Sequence, residues 1–162
     1  MAKKASFPKT NAMRALDARK VQYQTLTYSS EIHSADGAAE ALGVDAGVVY
    51  KTLVVLPESG QGRPLLVMVP GTHGLDLKVL GQAVGEKKLR MASQREAESL
   101  TGLLVGGISA LALLNKNFRI FVDEDALEHP QMYVNGGQRG LNLQLSPQDL
   151  LAVTGAIPVP TR

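Results

Sequence analysis

Hydrophobic and polar positions alternate along this chain in short blocks, most of them closed by glycine, proline, serine or aspartate. The strongest block is residues 48–56, Val-Val-Tyr-Lys-Thr-Leu-Val-Val-Leu, whose β-branched content predicts a strand. A Gly/Ser/Pro segment follows at 57–64, and residues 65–69 return as a second strand. Together they predict a hairpin with a long loop. Weaker strand signals lie at 23–28, 88–91, 118–123, 131–134 and 141–145. The last two are separated by the turn Asn135-Gly136-Gly137.

Helical spacing occupies the intervals. Thr10 can cap a helix with Ala12, Met13, Ala15 and Leu16 on its apolar face and Arg19 and Lys20 in its last turn. Residues 34–42 predict an alanine-rich helix ending at Gly43, and Asp45 caps one further turn. Residues 76–84 bring Leu77, Val79, Leu80 and Ala83 near one face. Ser93 and Glu96 fit a capping box that opens a helix to about residue 100. Ser146-Pro147-Gln148-Asp149 starts a final helix that ends near Thr154-Gly155. Strands and helices alternate irregularly, which suits a mixed α/β or α+β domain with hairpins rather than a doubly wound sheet. Residues 1–9 read as a flexible tail, 10–157 as one domain and 158–162 as a C-terminal tail.

Composition narrows the chemistry. The chain has 162 residues, enough for one domain with its own core. Its hydrophobic fraction of 44% excludes global disorder. It has no cysteine, which removes disulfides, thiolate metal sites and a cysteine nucleophile. His33, His73 and His129 lack the spacing that puts two ligands on one helical face, so no metal is expected. There is no GxGxxG and no Walker A motif, so no cofactor is expected either. No apolar run approaches the roughly 20 residues needed to span a bilayer. The best, 100–114, is broken by Thr101, three glycines and Ser109. No secretory h-region follows Lys3 and Lys4, and a cytoplasmic protein is expected.

Seventeen basic and 15 acidic residues give a net charge of only +2. Lys3, Lys4, Lys9, Arg14, Arg19 and Lys20 crowd the first 20 positions, and Lys87, Lys88, Arg90 and Arg95 form a second cluster. Such clusters suit either a phosphate-facing surface or a solvated one.

Four features carry candidate chemistry. Lys51 interrupts the most apolar strand; it either reaches solvent or meets an anion in a cavity. The segment Gly102-Leu-Leu-Val-Gly106-Gly107-Ile108-Ser109 can turn main-chain N–H groups toward a carbonyl or phosphate, or simply turn the chain. Tyr133-Val-Asn135-Gly136-Gly137-Gln-Arg139-Gly-Leu141 is a hairpin turn in which Arg139 can reach a phosphate or lie at the surface. His73, alone in a loop, is more often structural than catalytic. These features fit a small-molecule or acyl-group pocket with main-chain donors, and they name no reaction.

Taken in order, the segments at 50–55, 75–78, 87–92, 101–109 and 133–141 resemble the YbaK family of aminoacyl-tRNA deacylases. That family is related to the editing insertion domain of bacterial prolyl-tRNA synthetase. The resemblance runs from about residue 16 to 151 and is nearest to the free-standing Cys-tRNA(Pro) deacylases. It implies one compact α/β domain, a mixed and partly barrel-like sheet with surrounding helices, and a pocket for the aminoacyl end of tRNA. It further implies trans-editing, in which a wrong amino acid is released from tRNA, most simply cysteine from Cys-tRNA(Pro). In that chemistry the substrate's own thiol can attack its ester while the protein orients it.

By the same resemblance, Lys51 is the essential lysine, Gly106 faces the ester, and Tyr28 is a pocket tyrosine. Gly107, Ile108, Ser109, Asn135, Gly136, Arg139 and Asn142 are expected at the substrate. The chain departs from the family pattern at Ala110, Asn135 and Asn142, where proline, serine and often aspartate are usual. These departures leave open alanine or serine as the amino acid removed, or a non-catalytic module that binds tRNA or prolyl-tRNA synthetase. The expected partners are aminoacyl-tRNA, with tRNA(Pro) first, and prolyl-tRNA synthetase as the source of tRNA identity.

Overall fold

The computed structural model describes residues 8–162. The proposed tail at 1–9 lies outside the described residues except for Pro8 and Lys9. Five helices, α1 (Asn11–Ala18), α2 (Ala35–Leu42), α3 (Leu77–Val84), α4 (Gln94–Thr101) and α5 (Pro147–Thr154), have eight residues each. Helices that short are marginal in isolation. Each is held at its start by a side-chain oxygen that accepts a main-chain N–H, from Thr10, Ser34, Asp76, Ser93 or Ser146. The Ser93–Glu96 capping box is fully formed. Arg19 and Lys20 fall just beyond α1 rather than in its last turn, and Lys20 takes φ 57°.

Eight strands form one mixed sheet: β1 (Gln24–Thr27), β2 (Val49–Pro57), β3 (Leu65–Pro70), β4 (Leu89–Met91), β5 (Arg119–Asp123), β6 (Met132–Asn135), β7 (Leu141–Leu145) and β8 (Ile157–Val159). The order is β1-β7-β6-β2-β3-β5-β8, with β4 paired to β2 off that path. The predicted hairpins are present as β2–β3 and β6–β7, both antiparallel. The contacts β6–β2, β3–β5 and β5–β8 are parallel. The sheet is open, with β1 and β8 at its two ends.

Both faces of the centre are covered. Strand β3 is buried at all six positions. Leu66 and Met68 join a large core with Met13 and Leu16 of α1, Ala97 of α4 and Leu150 and Val153 of α5. Leu65, Val67 and Val69 point to the other face and pack with Leu80 of α3. A smaller cluster seats Ala35, Ala38 and Ala39 of α2 on Val49 of β2.

The C-terminal segment 158–162 is not a tail. Ile157–Val159 pairs with β5, and Thr161 is only 1% exposed. The Thr161 hydroxyl donates to the Asp123 carboxylate, its carbonyl accepts from Asp76 N–H at 2.8 Å, and its Oγ1 lies 3.2 Å from His73 Nε2. His73 Nε2 is also 3.3 Å from Asp123 Oδ2. A three-residue strand containing a proline gives almost no sequence signal, and it forms here because β5 offers an edge. His73 is therefore a tie for the C-terminus. Two 3₁₀ segments, Ala110–Leu113 and Glu124–Glu128, also carry no clear sequence signal.

Candidate active site

The site starts from an irregularity in β2. On one edge β2 pairs with β3 from Tyr50 to Val55. On the other edge β6 covers only Val49 and Tyr50, and β4 covers only Val55 to Pro57. Residues 51–54 have no strand partner on that side. Main-chain groups of successive residues in a strand point to opposite edges. Val54 C=O points toward the β4 side, where it accepts from Ala92 N–H at 3.0 Å. The N–H and C=O of Thr52, two residues away, therefore face the gap.

A cavity of about 450 Å³ occupies the gap. Lys51 and Thr52 of β2 line it, with Tyr28, Asn135 and Asn142 from the β1–β7–β6 side and Gly106 and Ile108 from the glycine loop. The N-terminal turn of α2 adds Ser34, Ala35 and Asp36. Lys51 is half-buried and makes no ion pair among the described residues. The Asp36 carboxyl is held below its ordinary range, chiefly by the Ser34 hydroxyl and main-chain N–H groups, with the Lys51 charge contributing. On the cavity floor the Tyr28 hydroxyl donates to Asn142 Oδ1 at 3.2 Å, and Asn142 is 2% exposed. Burial pushes the Tyr28 hydroxyl pKa up, so it remains a proton donor.

The glycine loop is fixed from several directions. Val105 N–H donates to Glu98 Oε2 at 2.8 Å, and Val105 C=O accepts from Arg139 Nε at 2.7 Å. Gly106 C=O accepts from Asn135 Nδ2 at 2.7 Å, while Asn135 Oδ1 accepts from Gly137 N–H. Gly107 N–H donates to Leu104 C=O. Gly106 has φ 90°, and a Cβ there would lie 2.9 Å from the Cβ of His33. Only glycine fits both constraints.

The sequence profile of the aminoacyl-tRNA editing domain family matches residues 29–153. A candidate Cys-tRNA(Pro)/Cys-tRNA(Cys) deacylase of Enterococcus faecalis, EbsC, is 37% identical over 95% of this chain and 93% of its own length. The crystal structure of a candidate trans-editing enzyme for prolyl-tRNA synthetase superposes with a TM-score of 0.78 at 30% identity, covering 98% of this chain and 99% of that one. A proline–tRNA ligase of Maridesulfovibrio salexigens is 30% identical over 67% of this chain and 18% of the ligase. The chain belongs to the YbaK-type aminoacyl-tRNA editing family.

Within this editing domain the structure sorts the expected site residues into two groups. Lys51, Gly106, Tyr28, Ile108, Asn135 and Asn142 all reach the cavity wall. Gly107, Ser109, Gly136 and Arg139 do not line it. Gly107 packs beneath the 138–139 main chain, where a Cβ would lie 2.9 Å from Arg139 N. Gly136 accommodates the Leu141 side chain, 2.7 Å from where a Cβ would stand. Ser109 is 1% exposed and its hydroxyl has no partner among the described residues.

Sequence reading missed the main chain of Thr52 and the first turn of α2. Residues 34–42 gave only a helix signal, and no sequence pattern reports where two strands leave a third unpaired. The basic clusters are partly neutralised: Lys9 pairs with Asp17, and Arg90 makes a bidentate pair with Glu96 at 2.8 and 2.7 Å. No group of three potential ligands is placed to hold a metal among the described residues. No described helix is long and apolar enough to cross a membrane.

Proposed function

We propose that this editing domain is a trans-acting deacylase that releases a wrong amino acid from aminoacyl-tRNA, with cysteine on tRNA(Pro) as its substrate. The observation that carries the reading is the pairing of two unsatisfied groups across one cavity. Lys51 has a cation without a counter-ion, and Gly106 N–H has no hydrogen-bond acceptor among the described residues. The anionic sugar–phosphate end of tRNA supplies what Lys51 lacks. The ester oxygen, which gains charge as the carbonyl is attacked, supplies what Gly106 lacks. Family membership and the names of the relatives support the same class of substrate.

Among the described residues the cavity wall pairs no hydroxyl with a histidine, and the contact of the Ser34 hydroxyl with Asp36 holds that carboxyl below its ordinary range, which makes it a weak base. His33 Nε2 is engaged by Ser30 C=O, and Ser34 Oγ accepts from Gly37 N–H. The attacking group is therefore assigned to the substrate. The cysteine thiol forms a bond to its own ester carbon, the ester C–O bond breaks, and the thiol proton passes to the departing ribose oxygen. Holding thiol and ester together can lower the barrier by roughly 7–11 kcal/mol in favourable intramolecular cases. Identity of the tRNA is supplied by prolyl-tRNA synthetase acting as partner.

The test incubates the protein with Cys-, Ala- and Ser-tRNA(Pro), with and without prolyl-tRNA synthetase, and follows loss of the ester. Multiple turnover of Cys-tRNA(Pro) is expected. Lys51→Ala should lower it by about 100-fold or more, with unfolding free energy within about 0.5 kcal/mol of wild type. Turnover of the alanyl or seryl ester instead reassigns the amino acid. Stoichiometric tRNA binding without any turnover overturns the enzyme reading in favour of a binding module.

A further inference from the structure

Arg139 was a candidate phosphate ligand, yet its Nε is committed to Val105 C=O at 2.7 Å and it stands off the cavity wall. The partner it has chosen is informative. Val105 C=O and Gly106 N–H belong to the same peptide unit, which is planar and trans. Its carbonyl and its N–H therefore point in opposite directions. A guanidinium fixed on the carbonyl side sets the direction of the N–H on the other side. It also polarises the unit, since hydrogen bonds in series strengthen one another.

The neighbouring peptides are pinned as well. Glu98 holds Val105 N–H, Asn135 holds Gly106 C=O, and Leu104 C=O holds Gly107 N–H. Of the three N–H groups at 105–107, only that of Gly106 is left without a partner among the described residues. Asn135 ends β6, Arg139 lies in the turn between β6 and β7, and Glu98 comes from α4. Segments remote from one another in sequence thus converge on three consecutive peptides, with the Val105–Gly106 unit in the middle.

We propose that Arg139 is a positioning residue that aims and polarises the Gly106 N–H toward the ester, with Glu98 and Asn135 completing the clamp. The inference rests on the deacylase reading for its catalytic consequence, but not for its geometry. It differs in outcome from a phosphate contact. A phosphate ligand acts on tRNA affinity and on its salt dependence. A clamp acts on the transition state and leaves tRNA affinity alone.

The experiment compares wild type, Arg139→Ala and Arg139→Gln in two ways. The first is turnover of Cys-tRNA(Pro) at two salt concentrations. Arg139→Ala is expected to lower kcat by about 10–100-fold, below the cost of deleting an oxyanion donor outright, with KM and its salt dependence unchanged. Arg139→Gln, which keeps a neutral donor, is expected to recover part of kcat. A raised KM with intact kcat, or Gln no better than Ala, overturns the clamp.

The second readout needs no substrate. In the free protein, ¹⁵N relaxation should show the Gly106 order parameter falling from about 0.85 toward 0.6 or below in Arg139→Ala. Val105 N–H should lose exchange protection at the same time. An unchanged Gly106 order parameter overturns the proposal. If wild type turns over none of the esters, the deacylase reading fails while the relaxation result still decides the clamp.

Discussion

At Gly106 a single hydrogen atom in place of a side chain keeps the loop where it is. The backbone sits at φ 90°, and the space a Cβ needs is taken by His33. Gly106→Ala is expected to cost about 1–3 kcal/mol through backbone strain alone, and to displace its N–H, unpartnered among the described residues. Thermal unfolding measures the first effect, and ester turnover by the folded fraction measures the second. Wild-type turnover in this variant would remove Gly106 from the site. Lys51 stands out in the sequence because its neighbours are apolar, and that anomaly does mark the cavity. Arg139 is different. Its position in a turn suggests a phosphate ligand, while the carbonyl that its Nε contacts is 34 residues away in sequence and can be found only in space.

Among the elements, α4 gives the clearest pH prediction. The Glu96 carboxylate is held down to about 2, first by the Arg90 guanidinium and then by Ser93 N–H of the capping box. A depressed folded-state pKa means the stabilisation is complete above the unfolded value near 4.5 and is lost as pH falls through about 2. The melting temperature of wild type should therefore fall over that window more than that of Glu96→Gln, and the two curves should converge at its acid end. Parallel curves would show that Glu96 contributes nothing through this pair. The capping box was readable from Ser93 and Glu96 because it is local, three residues apart. The Arg90 partner was not, because it comes from β4 across a turn. Strand positions were likewise readable within a residue or so, since apolar alternation is local. Strand β8 was missed because its three residues become a strand only by pairing with β5.

For the molecule as a whole, the sheet's two irregularities have separate roles. Removing residues 157–162 strips Val159 from the second core and leaves buried Asp123 without the Thr161 hydroxyl. Burial of one valine and one carboxylate hydrogen bond together predict a loss of at least about 2 kcal/mol. Urea unfolding measures it. Because these residues do not line the cavity, ester turnover by the folded fraction should persist. A truncation as stable as wild type would return 158–162 to the status of a tail. The other irregularity, the gap on β2 between β6 and β4, opens the cavity proposed as the site, and its Thr52 main chain carries no sequence mark.

The sequence by itself determined the capped helices, the two hairpins, the mixed α/β class and, through five ordered motifs, the family. Each of these depends on residues a few positions apart or on a pattern read along the chain. The tertiary structure decided which strands leave β2 uncovered, that the last residues complete the sheet, and that the Arg139 Nε donates to the Val105 carbonyl. Those outcomes depend on hydrogen-bonding groups that every residue carries alike, and their partners are set by how distant segments pack.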